Sequence, residues 1–111
     1  MATRKAFTST LATHGVKQEG YRNCTNAVYA GLFGGTSEVV RMKKGLEKSQ
    51  NIRDHLSRVE LAAVQLAESL ATENIENHSL RGNAQCELAC TRASKSVGRA
   101  IIDNRKSFQS S

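Results

Sequence analysis

Leu56-Ser57-Arg58-Val59-Glu60-Leu61-Ala62-Ala63-Val64-Gln65-Leu66-Ala67 is the stretch from which the fold follows. Ser57 and Glu60 have the spacing of a capping box. The serine hydroxyl takes a backbone N–H one turn on, and the glutamate reaches back to the serine N–H. Leu56 and Leu61 flank the cap as a hydrophobic staple. A cap of this kind contributes about 1 kcal/mol and fixes where a helix begins. From Val59 to Ala67 the apolar residues fall nearly all round the helix. A helix of that pattern is buried on most sides, so the segment from Ser57 to about Asn77 is expected to be the central element.

Working outward, a break near His78–Asn83 precedes a last helix from roughly Ala84 to Asp103. Its inner stripe reads Cys86, Cys90, Ala93, Val97 and Ile101, spaced to share one helical face. Arg92, Lys95 and Arg99 lie together on another face. Residues 104–111 are polar and expected to fray, and residues 1–6 are expected to be flexible. Upstream, Thr3–Thr13 predicts a short helix ended by His14-Gly15, and residues 15–22 read as a linker. Asn23–Phe33 predicts a helix stopped by Gly34-Gly35. Thr36 or Ser37 is placed to cap the next helix, which runs through Val39, Val40 and Met42 to Gly45. Residues 46–55 form a polar connector with one short turn. Proline is missing and no period-two alternation occurs. The expectation is all-α: a small bundle of about five helices, forming a single domain over 1–111.

Composition narrows the function classes. At 111 residues the chain builds a modest core, and with aromatics at 5% the packing falls to Leu, Val, Ile and Ala. Sixteen basic against ten acidic residues leave +6 and favour an anionic partner. Between Ser57 and Asn77 one arginine faces four glutamates, a net of −3, so the rest of the chain carries +9. That charge gathers in two places. One is the connector, with Arg41, Lys43, Lys44, Lys48 and Arg53; the other is the last helix, with Arg92, Lys95 and Arg99, and Arg105 and Lys106 beyond. Interleaved aromatics of the kind that stack single-stranded bases are lacking. The surface therefore suits phosphate tracking rather than sequence readout, and two simply solvated basic faces are the plain alternative.

Three cysteines, an odd number, argue against a disulfide framework and fit a reducing, cytoplasmic setting. No apolar run approaches membrane-spanning length, and the basic start Met1–Phe7 lacks the apolar stretch of a secretory signal. Cys86 and Cys90 stand one helical turn apart, with Cys24 elsewhere and His14, His55 and His78 as further donors. Zinc knuckles use a two-residue spacing. Three residues within a helix point to core packing instead, so neither metal nor other cofactor is expected. Arg53-Asp54-His55 lacks the order and the glycine-rich loop of a kinase, and Gly34-Gly35 ends a helix without the Walker pattern. Nucleophile, base and oxyanion donors cannot be assembled, so no enzyme is expected.

Several pieces carry a resemblance. Tyr29 with Gly31-Leu32-Phe33-Gly34-Gly35, Lys44-Gly45-Leu46-Glu47-Lys48-Ser49-Gln50, Asp54-His55 and Glu60-Leu61-Ala62-Ala63 occur in an order that resembles the C-terminal part of the DNA-damage-inducible protein D (DinD) family. Thr72-Glu73 and Val97-Gly98-Arg99 extend the likeness, which covers roughly Phe7 to Ile102. Gly-Leu-Phe-Gly followed by Arg-Asp-His is also similar to BRO-type phage antirepressor-like proteins. The resemblance implies a role in the bacterial DNA-damage response and restraint of the recombinase filament on single-stranded DNA. Such proteins carry a longer N-terminal portion resembling phage DNA-binding domains, which these residues lack. The expectation is therefore a regulator of bacterial or mobile-element origin that docks on a DNA-associated protein machine, a recombinase or a defence nuclease complex, and blocks it. Its expected surface is Lys43, Lys44, Lys48, Arg53 and His55. The alternative is a direct nucleic-acid binder using the same connector with Arg92, Lys95 and Arg99. A homodimer through an exposed part of the last helix is also expected, since a small core gains from a partner.

Overall fold

The computed structural model describes residues 2–109, with side chains described from Lys5 onward. Five helices follow in order: α1 (Ala2–Thr13), α2 (Glu19–Phe33), α3 (Ser37–Lys44), α4 (Arg58–Asn77) and α5 (Gly82–Gln109), with a 3-10 turn at Ile52–His55 between α3 and α4. The all-α bundle expected from the pattern is what forms.

The local signals account for most boundaries. Ser57 Oγ accepts from Glu60 N–H at 3.2 Å and Glu60 Oε1 accepts from Ser57 N–H at 2.8 Å, so both halves of the capping box are made. α2 stops at Gly34, whose φ of 78° lets its N–H bond to Ala30 O. α3 ends with the N–H of Leu46 on Arg41 O at 2.9 Å, a Schellman closure around Gly45. Thr36 occupies the N-cap of α3 but its hydroxyl makes no cap bond. Asn26 Oδ1 of α2 takes the Ser37 N–H instead, at 3.1 Å.

Two expectations shift. Residues 15–22 are not all linker, because α2 begins at Glu19. Gly20 is buried there, lying against Asn83 and Val16, so a tertiary contact rather than a local cap sets the start. The last helix starts two residues before Ala84 and continues six beyond Asp103, through Gln109. Nothing between Asn104 and Gln109 breaks a helix, and every residue from Ile102 to Gln109 is exposed.

α4 and α5 form an antiparallel hairpin across the short turn His78–Arg81. α2 lies parallel to α5: Lys17 N–H bonds Asn83 Oδ1 at 2.9 Å at one end, and Ser94 Oγ bonds Ala27 O at 3.1 Å further along. Gly31 and Gly98 let these helices touch. A Cβ on Gly98 would sit 2.8 Å from Gly31 O, and one on Gly31 would sit 2.7 Å from Ser94 Cβ. α1 packs on α4, with Phe7 and Leu11 fully buried. It ends at the hairpin turn, where Gly82 N–H bonds His14 O at 2.8 Å.

α4 is the central helix, packed against α1, α2 and α5. Its buried stripe is Ala63, Val64, Ala67, Glu68, Ala71 and Ile75. It is narrower than the apolar pattern suggests, because Val59, Ala62 and Leu66 face out. The α5 stripe matches expectation: Cys86, Cys90, Ala93 and Val97 are buried and Ile101 is partly buried.

Candidate interaction surface

The connector cations divide by what they touch. Arg41 Nη1 donates to Gln50 O at 2.8 Å and to Lys48 O at 3.2 Å, tying α3 to the loop that follows it. Arg53 Nη2 donates to Glu68 Oε2 at 2.7 Å, fastening the 3-10 turn to α4. Glu68 is 1% exposed, so this is a buried carboxylate held by a charged partner, a pairing no local pattern in the sequence reveals. Lys44 Nζ meets Glu60 Oε1 at 3.1 Å. That contact and the Ser57 N–H hold the Glu60 carboxyl below its usual range, the backbone hydrogen bond contributing most. Three of the six connector candidates thus build the connector itself.

The remainder face solvent. Lys43, Lys48 and His55 are exposed, and among the described residues none of their side chains has a hydrogen-bond or ion-pair partner. On α5, Arg92, Lys95 and Arg99 are likewise exposed and unpaired among the described residues. Arg92 stands apart from the other two, beside Asn74 and His78 in a hollow of about 540 Å³ between the end of α4 and the start of α5.

The last turn of α2 joins the rest. On one side Phe33 lines a shallow hollow of about 320 Å³ with Val40, Lys43, Lys44 and Glu60. On the other, Gly31 and Leu32 line one of about 430 Å³ with Lys95, Arg99 and Ile102. The parallel packing of α2 on α5 brings the ends of both helices, α3, the connector and the start of α4 to one pole of the bundle. Exposed apolar side chains collect there too: Met42 is 80% exposed, Ile102 53%, Val59 51% and Val39 38%. The charge pattern pointed to the lysines. The apolar members have no such signal, because Met42 and Val59 fit the core pattern of their helices.

The cysteines are packing residues. Cys24, Cys86 and Cys90 are all fully buried in the seam of α2 and α5. The hydrogen bond to Cys24 together with burial pushes the Cys90 thiol up, and burial raises Cys86. Among the described residues no three His, Cys, Asp or Glu side chains converge as a metal site. His14 Nδ1 lies 2.9 Å from Leu80 O, part of the pin between α1 and the hairpin turn. No helix among the described residues is long and apolar enough to cross a membrane.

A family model described as the DinD C-terminal domain matches residues 1–108. No curated protein matches the chain.

Proposed function

We propose that this chain, which belongs to the DinD C-terminal domain family, is a non-enzymatic regulatory module that docks on a DNA-associated protein machine and blocks it. The machine is a recombinase filament or a host defence nuclease complex, met in the cytoplasm of a bacterium by a chromosomal or phage-derived regulator. The likeness to BRO-type antirepressors, carried by Gly31-Leu32-Phe33-Gly34 and Arg53-Asp54-His55, belongs to the same proposal.

One observation supports this reading above others: at one pole, unpaired Lys95 and Arg99 share a hollow with exposed Ile102, and unpaired Lys43 shares another with Phe33 and Val40. Surfaces that mix a few apolar anchors with a charged rim suit a protein partner. Phosphate tracking asks for charge alone. The alternative, direct sequence-nonspecific nucleic-acid binding in the damage response or in antirepression, draws support from the exposed, unpaired side chains of Lys43, Lys48, Arg92, Lys95 and Arg99 among the described residues.

Co-purification from a nuclease-treated bacterial lysate separates the two. A protein retained by the wild type and lost with Lys43→Glu/Lys95→Glu supports the docking reading. Binding of the purified chain to DNA that weakens linearly in log K against log salt supports the alternative.

A further inference from the structure

We infer that the pole formed by the ends of α2 and α5, α3 and the start of α4 receives an acidic amphipathic segment of its partner. This rests on the docking reading above and names the chemistry the surface selects. Residues 37–60 and 95–106, with Glu68 that pairs with Arg53, hold ten Lys and Arg against six Asp and Glu, so the pole carries +4 of the chain's +6. The Lys44–Glu60 pair neutralises itself. Lys43 is left facing one hollow, with Lys95 and Arg99 facing the other.

Those cations flank apolar ground. Gly31 and Leu32 line one hollow and Phe33 the other, so both open beside a single turn of α2. Leu32, Phe33 and Ile102 offer contacts to aliphatic anchors, and unpaired cations wait on both rims for carboxylates. This is the helix-in-groove arrangement with complementary charge.

Two other occupants fit less well. A second copy meeting this pole across a twofold axis sets a strong positive field against its equal, which costs affinity. Nucleic acid gains nothing from Met42, Val59 or Ile102, and the hollows hold one aromatic, the half-buried Phe33, for stacking.

The test uses the full chain and a fluorescent peptide of about 20 residues with Leu at the a and d heptad positions and Glu at most others. Poly-glutamate, the same peptide with Lys in place of Glu, and an oligothymidine strand serve as comparisons. The Leu/Glu peptide is expected to bind and the Lys version not to. Lys43→Glu/Lys95→Glu/Arg99→Glu is expected to weaken binding at least about tenfold. Met42→Ser/Ile102→Ser is expected to weaken it about three- to tenfold with an unchanged melting temperature, since both side chains are exposed. Equal binding of poly-glutamate, or an unaffected Met42→Ser/Ile102→Ser variant, overturns the inference while leaving a nuclease-resistant partner standing. Self-association abolished by Met42→Ser/Ile102→Ser replaces the acidic segment with a second copy. Oligothymidine binding more tightly than the peptide, and lost with the same charge reversals, overturns both the inference and the docking reading.

Discussion

Arg53 offers the sharpest test of the structure, because truncating a structural cation destabilises the fold while truncating a surface one leaves it nearly unchanged. Its guanidinium lies 2.7 Å from Glu68 Oε2, with the Glu68 side chain 1% exposed and that of Arg53 22% exposed. Removing one partner of a buried pair costs about 3–5 kcal/mol, because the other charge stays buried without it. Here water reaches the arginine side, which lowers the expected cost of Arg53→Ala to about 2–3 kcal/mol. For a chain of this size that is a fall of roughly 10 °C in Tm. Arg53→Met/Glu68→Leu, which removes both charges, is expected to recover most of the loss. Lys43→Ala, at an exposed unpaired position, is expected to stay within about 0.5 kcal/mol of the wild type. Urea denaturation followed by circular dichroism measures all of these. Arg53→Ala unfolding at the wild-type midpoint, or additive Arg53 and Glu68 effects in the double-mutant cycle, would refute the pairing.

Further outcomes follow from the helix seam and the cap. Gly31→Ala places a Cβ 2.7 Å from Ser94 Cβ, so the helices must part. A net loss of about 1–2 kcal/mol is expected despite the gain in helix propensity, and a raised Tm would show that the helices are not so close. Glu60 titrates below its usual range in the fold, so its contribution is complete above pH about 4.5. That contribution disappears as acid protonates the carboxyl through its depressed folded value. A Glu60→Gln variant is therefore expected to show a flatter dependence of stability on pH between about 3 and 5 by thermal melts. An unchanged slope would detach Glu60 from the cap.

The parts of the fold legible in the sequence are those set within a few residues. The Ser57–Glu60 cap, the stop at Gly34 and the α5 stripe of Cys86, Cys90, Ala93 and Val97 depend on neighbours a turn away, and each forms as the spacing indicates. The start of α2 lies four residues before its local sequence signal at Asn23, because Asn83, 63 positions further along, closes over Gly20. The outward face of α4 was hidden for a related reason: apolar residues all round a helix do not say which side its neighbours leave open. The candidate surface was half legible. Charge alone located Lys43, Lys95 and Arg99, while Arg41 and Arg53 turned inward to a carbonyl and a carboxylate that the sequence places far from them. Met42 and Ile102 became visible as candidates only when the helices were set side by side.

The parallel seam between α2 and α5 also bears on how the protein is born. Ala27 and Ser94, joined across it by a hydrogen bond, are 67 residues apart. At about 5–20 residues per second, a ribosome leaves the α2 side of that seam without its neighbour for roughly 3–13 s. During that interval Cys24, Val28 and Tyr29 lack the α5 face that covers them. The bundle is completed only as the final helix emerges, and until then the nascent chain offers sticky ground to chaperones and to its own unfinished siblings.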